Sequence, residues 1–342
     1  MADSHPRSRP RWPLLAGLAW LGVLAGASVA TLALARSDTL AEVGPRMLTA
    51  HYAAFMSQTF AYHAALAMLP AIALGLLARR RRLALAAALV LALGAAPELP
   101  GLWPHRSPAG SGEVLKIMSI NLMYGHSDAG LLLEQIGAES PDVLVFQEWT
   151  PQAERSLGGE LRTVYPHPIE QPRDDAFGQA VLCKRALVGT PRTFPPVPGF
   201  AEPQITFTII HDRRPLQITN VHLLPPVGRT YFQHQRAGAA RLAAWLGDTA
   251  RDDRSDLLLG DFNTARRTGT LSGLRAAGLS EAQSQAGWWR GSTWPRTGVL
   301  RWAPGIRLDH ALLRDTLECV EARTGEDFGS DHRPVIVRVR WR

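Results

Sequence analysis

Two hydrophobic patterns divide the chain. Up to about residue 101 apolar residues follow one another with few charges; from residue 112 they come in short bursts separated by polar and turn-forming residues. Residues 12–35 (WPLLAGLAWLGVLAGASVATLALA) carry no charge and are long enough to cross a hydrocarbon core of about 30 Å as a helix. A second run, residues 60–78, has its polar interruptions Tyr62 and His63 near one end, where amphipathic rings suit a membrane interface. A third, residues 83–101, weakens around Pro97, Glu98 and Pro100. Arg7, Arg9 and Arg11 before the first run, and the small residues Ala27 and Ala30 after its core, also fit a cleaved signal peptide. The run is too long for a signal core of about 7 to 15 residues, and two more apolar runs follow, so the pattern predicts membrane helices.

Past residues 104–112 (PHRSPAGSG), which read as a linker, the bursts have the length of strands. Residues 114–121, 143–146, 180–183, 205–210, 216–221, 256–259, 310–313 and 335–339 are strand-like, and VLVF at 143–146 is the continuous apolar kind expected of a strand covered on both faces. Residues 130–140 and 231–246 have helical spacing. The expected organisation is a membrane region over residues 1–103, a linker over 104–112, and an α/β sheet domain over 113–342 with polar residues at its strand ends.

Charge changes this picture in one respect. The net charge of +7 and pI near 10.1 suggest a nucleic-acid binder. Up to residue 111, however, ten basic and four acidic residues give +6, which leaves 27 basic and 26 acidic residues, or +1, in the rest. The basicity is therefore of the kind that sets membrane topology, and composition offers no wide phosphate-tracking surface. Arg7, Arg9 and Arg11 before the first run and the block Arg79 to Arg82 between the second and third both belong on the cytoplasmic side. Three spans then put the N-terminus inside and the sheet domain outside, with residues 36–59 as an outside loop; losing the third span would reverse the domain. Two cysteines, Cys183 and Cys319, exclude a disulfide framework and a Cys-based zinc cluster. One disulfide is permitted outside the cell, but both sit in apolar strand-like runs, where buried free thiols are expected.

The candidate chemistry lies at the strand ends. Asn121, Glu148, His222 after Asn220, Asp261 with Asn263, Asp309, and Asp331 with His332 each follow an apolar run or lie in a Gly/Ser turn. Taken singly such residues are turn and cap formers; together they are a set that a rigid sheet can hold around one point. Gly260-Asp261-Phe262-Asn263 sets a carboxylate beside an amide, and Gly329-Ser330-Asp331-His332-Arg333-Pro334 couples a carboxylate to an imidazole. There is no Gly-rich nucleotide loop and no convincing Cys–His pair.

With Ser119-Ile120-Asn121, Gln147-Glu148, Asn220-Val221-His222-Leu223 and Arg307-Leu308-Asp309-His310, these motifs resemble, in order and approximate spacing, the endonuclease/exonuclease/phosphatase (DNase I-like) superfamily, here a bacterial-type membrane-anchored member. The resemblance implies a four-layer α/β sandwich of two packed mixed sheets flanked by helices, preceded by the transmembrane region. It also implies a Mg2+- or Mn2+-dependent phosphoester hydrolase. Glu148 would be the main metal carboxylate, helped by Asn121, with Asp331 near the metal or a second one; oxygen ligands of this kind suit Mg2+ or Mn2+ and not zinc. Asp261 would orient or deprotonate water, Asn263 would hold that water or a phosphoryl oxygen, His222 would contact the phosphate, and Asp309 would fix the tautomer of His332 and favour its imidazolium.

Substrate choice is less legible. Trp288, Trp289 and Trp294 suit stacking on a base or sugar, packing at the core's edge, or contact with a membrane. Arg229 and Arg236 suit a phosphate or a solvated helix face. The expected partners are a phosphoester substrate (nucleic acid, phospholipid head group or small phosphodiester) and the membrane, with no obligate protein partner implied. The contrasting reading is a catalytically silent, membrane-tethered domain that binds a phosphorylated ligand or a partner protein; the intact set of Glu148, Asp261 and His332 speaks against it.

Overall fold

The structure, a computed structural model, describes residues 12–34, 44–105, 110–194, 203–248, 255–288 and 290–342. Its contacts separate two units, residues 1–36 with 53–99 and residues 37–52 with 100–342.

The first unit is helical. Helices α1 (Trp12–Ala33), α2 (Pro45–Leu66, of which residues 45–52 count with the second unit), α3 (Leu69–Leu77) and α4 (Arg81–Ala95), with the 3-10 segment Ala96–Leu102 that follows, contain three stretches long and apolar enough to cross a membrane, Leu14–Ala33, Arg46–Leu77 and Arg81–Gly101. Two expectations change here. Residues 45–59, read as loop, are helical: Pro45, which can hold the first helical position without losing a needed N–H, is followed by good helix formers, and Arg46, Thr49, His51 and Gln58 merely dilute the hydropathy. The remainder of that expected loop, up to residue 43, and Ala35 lie outside the described residues. The second apolar run is also not one helix. Pro70 lacks an N–H and disfavours helix in the residue before it, so the chain turns at Ala67 and Met68 and restarts as α3 with proline in its first turn. Small residues let these helices pack closely: a Cβ on Gly75 would lie 2.7 Å from Ala84 N, and one on Gly94 2.7 Å from Ala65 Cβ.

Among the described residues the second unit has twelve strands. In chain order these and the intervening helices are β1 (Leu115–Asn121), α5 (Ala129–Glu139), β2 (Val143–Gln147), α6 (Pro151–Ala153), a π-turn (Glu154–Gly158), α7 (Gly159–Val164), β3 (His167–Gln171), β4 (Gln179–Cys183), β5 (Arg192–Phe194), β6 (Gln204–His211), β7 (Arg214–His222), α8 (Gly228–Asp248), β8 (Ser255–Asp261), α9 (Gly269–Ala276), β9 (Leu279–Glu281), α10 (Ala282–Ala286), β10 (Asp309–Arg314), β11 (Leu317–Thr324) and β12 (Val335–Trp341). They form two six-stranded sheets, ordered β11-β12-β1-β2-β4-β3 and β5-β6-β7-β8-β10-β9. Each sheet is mixed, with parallel pairs β1·β2 and β7·β8 among antiparallel neighbours. One apolar cluster lies between the sheets; a second packs β1, β2 and β4 beneath α5 and the 151–164 segment, and a third packs β7, β8 and β10 beneath α8 and α9. The result is the expected four-layer sandwich of two mixed sheets flanked by helices.

Strand periodicity places the site. In a strand, alternate residues face alternate sides. Leu115 and Ile117 of β1 enter the inter-sheet core while Met118 and Ile120 enter the layer beneath the helices. The same phase runs through Val143 and Val145 of β2, Leu216 and Ile218 of β7, Leu257 and Leu259 of β8, and Leu313 and Ala311 of β10. Continuing each series in steps of two gives Asn121, Gln147, His222, Asp261 and Asp309. The inter-sheet face therefore turns from apolar to polar at one edge, and the register sets His222 opposite Asp261 and Asp261 opposite Asp309.

Two features complete the description of this unit. His105 N donates to Gly287 O at 2.9 Å and Gly110 O accepts from Arg340 Nη1 at 2.7 Å, so both ends of the expected linker are bonded to the unit, residues 106–109 lying outside the described ones. Cys183 and Cys319 are buried free thiols, as their apolar strand settings implied.

Candidate active site at the strand ends

Asn121, buried at the end of β1, is the hub. Its Nδ2 donates to Glu148 Oε1 and to Asp261 Oδ2, both at 3.1 Å, which ties a side chain of one sheet to a carboxylate of the other. Its Oδ1 accepts the Met123 N–H at 2.9 Å, and its backbone carbonyl takes the Ser330 hydroxyl at 2.7 Å, which fixes the Ser330–His332 turn to β1. Beneath it, Gln147 Nε2 donates to Asn220 Oδ1 at 2.7 Å and Asn220 Nδ2 to Phe146 O at 2.8 Å, a buried polar bridge between the sheets.

Glu148 directly follows β2 with φ +61°, a left-handed conformation that costs a non-glycine residue energy and turns its side chain out of strand phase towards Asn121. Asn263 has φ +49° and donates three bonds, its N–H to Asp261 Oδ1 at 2.7 Å and its Nδ2 to Leu223 O at 2.9 Å and Asp261 Oδ2 at 3.2 Å, while its carbonyl accepts from Gln235 Nε2 at 2.7 Å. Asp261, 1% exposed, thus has its Oδ1 held by a backbone N–H and its Oδ2 faced by two amides, with His222 Nε2 at 3.8 Å and His332 Nε2 at 3.9 Å.

His332 Nδ1 lies 2.8 Å from Asp309 Oδ2. Burial alone would lower its basicity, but the carboxylates of Asp309, Asp261 and Asp331 outweigh that and raise the imidazole to about 10, so it is an imidazolium at neutral pH. His222 goes the other way. Burial, and the positive charge of His332, lower it to about 4, leaving a neutral ring with one N–H. Asp261 is shifted up by burial and by the neighbouring Asp309 and Glu148 carboxylates, and Glu148 is shifted up by burial and by Asp331.

Three supporting residues escaped the sequence. Gln204 Nε2 donates to His222 O and Gln204 Oε1 accepts the His222 N–H, both at 2.8 Å, which is the pairing of an edge-side glutamine mimicking a strand. Phe177 packs its ring 5.7 Å from that of His222. Thr293 Oγ1 accepts the N–H of Leu308 at 3.0 Å and of Asp309 at 3.3 Å. Each comes from another strand or loop with no motif of its own; the one signal was the polar residue Gln204 just before the strand-like run 205–210.

Of the expected substrate residues, Trp294 joins the cluster, its Nε1 donating to Asp331 Oδ2 at 3.1 Å. Arg229 and Arg236 are instead held against the start of α2: Arg229 Nη1 donates to Thr49 Oγ1 at 3.0 Å and Arg236, 4% exposed, contacts His51 Nδ1 at 3.2 Å, while the Tyr52 hydroxyl bridges Pro226 O and Gly228 N nearby. Trp288 is an exposed surface residue, and Trp289 lies outside the described residues.

Two places suit a cation. Asp261, Asp309 and His332 offer ligand atoms within 4.8 Å of one another, but Nδ1 of His332 is already engaged by Asp309 at 2.8 Å. Glu148 is the better anchor. Its carboxylate is half-buried, raised by burial and by the neighbouring Asp331, and its hydrogen bonds come from the Asn121 amide and the Tyr124 backbone, with no cationic side chain bonded to it among the described residues. Converging oxygen donors with an excess of negative charge are what a hard divalent cation neutralises.

A model of the endonuclease/exonuclease/phosphatase family matches residues 118–332. No curated protein matches by sequence. Among solved structures, an endonuclease/exonuclease/phosphatase from Beutenbergia cavernae DSM 12333 aligns over 67% of this chain and 72% of its own at 18% identity and TM-score 0.53. TDP2 of D. rerio, solved with a single strand DNA product, aligns over 67% and 99% at 17% identity and TM-score 0.55. The 3'-5' exonuclease NExo of Neisseria meningitidis aligns over 66% and 100% at 18% identity and TM-score 0.53. At these identities the likeness establishes a shared fold.

Proposed function

Since the chain belongs to the endonuclease/exonuclease/phosphatase family and is a phosphoester-hydrolysing enzyme, we propose that it works through Asp261, His332 and Asp309, with a divalent cation, Mg2+ or Mn2+, held at Glu148. The observation that carries this reading is the line Asp309–His332–Asp261, in which an imidazolium fixed at 2.8 Å by one carboxylate points its other nitrogen towards a second.

Asp261 orients the attacking water and takes its proton. A carboxylate raised by burial and like charge is a stronger base than a solvated one, and its bonds to Asn121 and Asn263 fix the direction in which it accepts. His332 supplies positive charge, and its Nε2 N–H, to the phosphoryl oxygens as negative charge grows on them, while Asp309 accepts its Nδ1 N–H and so fixes the ring with the Nε2 N–H left to donate. Neutral His222, braced by Gln204 and Phe177, presents an N–H donor at the same place without adding a second full charge. Asn263 holds the water or a phosphoryl oxygen. Glu148 holds the cation, with Asp331 beside it and Asn121 keeping Glu148 in place and presenting the remaining lone pair of its amide oxygen. When bound, the cation offsets the charge of the phosphoryl group and the departing oxygen. Trp294, fixed on Asp331, forms a wall for the substrate.

TDP2 and NExo have been solved with product DNA, which supports nucleic acid as one substrate class; phospholipid head groups and small phosphodiesters present the same bond. The basic residues before α1 and between α3 and α4 support an inner-membrane protein with a cytoplasmic N-terminus and the catalytic unit on the other side. The mechanism is tested by hydrolysis of bis-p-nitrophenyl phosphate by the full chain beside Asp261→Asn and His332→Ala. Each variant is expected to lose about 100- to 10,000-fold in kcat with its circular dichroism unchanged; a correctly folded variant within a few-fold of wild type would remove that residue from the reaction.

A further inference from the structure

Residues 297–304, TGVLRWAP, are exposed throughout, and three of the four residues in the 3-10 turn Val299–Trp302 are large and apolar: Val299 is 84% exposed, Leu300 57% and Trp302 80%. Elsewhere in the catalytic unit the exposed large apolar side chains are scattered, which needs no explanation. Three on one exposed turn leave apolar surface that costs free energy in water and is stabilised in an apolar solvent. Gly298, at φ +61°, turns the chain into this tip. The guanidinium of Arg301 stacks 4.7 Å from the Trp302 ring centroid, an amphipathic pair suited to the level where lipid head groups meet acyl chains.

The base of the tip is fixed to the active site. Arg296 N donates to Asp331 O at 2.8 Å and its side chain to Asp327 at 3.1 and 3.2 Å, while Trp294, two residues earlier, is bonded to Asp331 Oδ2. A groove of about 660 Å3, lined by Arg301 and Trp302 on one side and Gly329 and Ser330 on the other, runs between the tip and the turn that carries His332. The other end of the same loop is tied to the chain where it leaves the last apolar stretch. That stretch ends at Gly101, Trp103 is 66% exposed, and His105 donates its N–H to the carbonyl of Gly287 beside the exposed Trp288. Four residues span at most about 14 Å, so the start of this loop is held within that distance of the end of the membrane stretch.

We propose that the Val299–Trp302 tip enters the bilayer in which the chain's own helices sit, and that the catalytic edge therefore meets phosphoesters displayed at the membrane surface, lipid head groups above all. The substrate part of this inference rests on the phosphoester reading above; the docking part does not. Continuity with the membrane stretch selects a bilayer over a protein partner, and Arg301 suits anionic lipid.

The two parts are tested separately on the full chain reconstituted in phosphatidylcholine vesicles with and without phosphatidylglycerol. In Val299→Cys, labelled with an environment-sensitive fluorophore, emission should shift to the blue and be quenched by spin-labelled lipid and not by aqueous iodide. A label at Val164→Cys, on exposed α7 surface, should behave oppositely. Cys183 and Cys319 are buried and stay unlabelled in the folded protein. A tip label that iodide quenches as it does at position 164, or that neither quencher reaches because protein covers it, overturns the docking. For the substrate part, Leu300→Ser with Trp302→Ser should lower hydrolysis of a fluorescent head-group phosphodiester in vesicles by about tenfold or more while leaving turnover of soluble bis-p-nitrophenyl phosphate unchanged. Equal loss on both substrates, or on neither, contradicts it. If the wild type cleaves no phosphoester, the site reading fails while the label still reports where the tip lies.

Discussion

His332 shows how local charge assigns a role. Buried in an apolar setting an imidazole would lose its proton; beside Asp309 and Asp261 it keeps it to about pH 10. Because this folded-state value is raised, the favourable charge is fully present below about 6.5 and is lost as pH rises through about 10. Activity that needs the imidazolium should therefore have its alkaline limb well above neutrality. Replacing Asp309 with Asn removes the largest attractive contribution, so the limb should move to lower pH, and kcat/KM at neutral pH should fall by about 10- to 100-fold. A pH–rate profile of the variant with an unmoved alkaline limb would separate Asp309 from the protonation of His332. At this scale the sequence named the side chains that meet at the edge between the sheets, because each belongs to a recognisable strand-end motif. It did not foresee the contacts of Arg229 and Arg236 with Thr49 and His51, which stand some 180 positions earlier, in a helix whose start the hydropathy concealed. It also missed Gln204, Phe177 and Thr293, which act by holding other residues.

The strands read from the sequence were the interior ones, and the four it missed, β3, β5, β9 and β11, are the edge strands of the two sheets. An interior strand is covered on both faces and flanks and shows an apolar run; an edge strand such as HPIEQ or LECVEART is half exposed and mixes charge into its alternation. Spacing between β7 and β8 depends on Gly260, at φ +144°, where a Cβ would lie 1.9 Å from Val221 O. Gly260→Ala should cost at least about 3 kcal/mol and separate Asp261 from His222; the thermal midpoint in detergent reports it. At the far side of β10, buried Glu281 is opposed by burial but stabilised by His310 at 3.0 Å and by Arg307 and Arg266, which hold its carboxyl down to about 2. With the folded value depressed, this contribution is present above about 4.5 and is lost as pH falls from there through about 2. Glu281→Gln should lower the thermal midpoint at neutral pH and flatten its decline below pH 4.5. A variant with an acid decline as steep as that of the wild type would assign the sensitivity to other carboxylates.

Across the whole molecule, charge distribution and hydropathy tell one story: the excess of positive charge lies with the apolar helices, and the catalytic unit is close to neutral. The three apolar stretches were legible because twenty or so residues without charge have few soluble uses; the internal break at Pro70 and the early start of α2 were not, since hydropathy averages over both. The chain should stay with membranes in alkaline carbonate, and a reporter fused after residue 342 should be active only on the side opposite the cytoplasm; cytoplasmic activity would remove one span. The central claim, a cation-assisted phosphoester hydrolase centred on the edge between the sheets, has its most direct test in one assay. The purified full chain and its Glu148→Gln variant are given bis-p-nitrophenyl phosphate with Mg2+, then with EDTA. The account predicts turnover by the wild type that EDTA abolishes and Mg2+ restores, and little turnover by the variant under any condition; undiminished hydrolysis in EDTA, or a variant as active as the wild type, would contradict it.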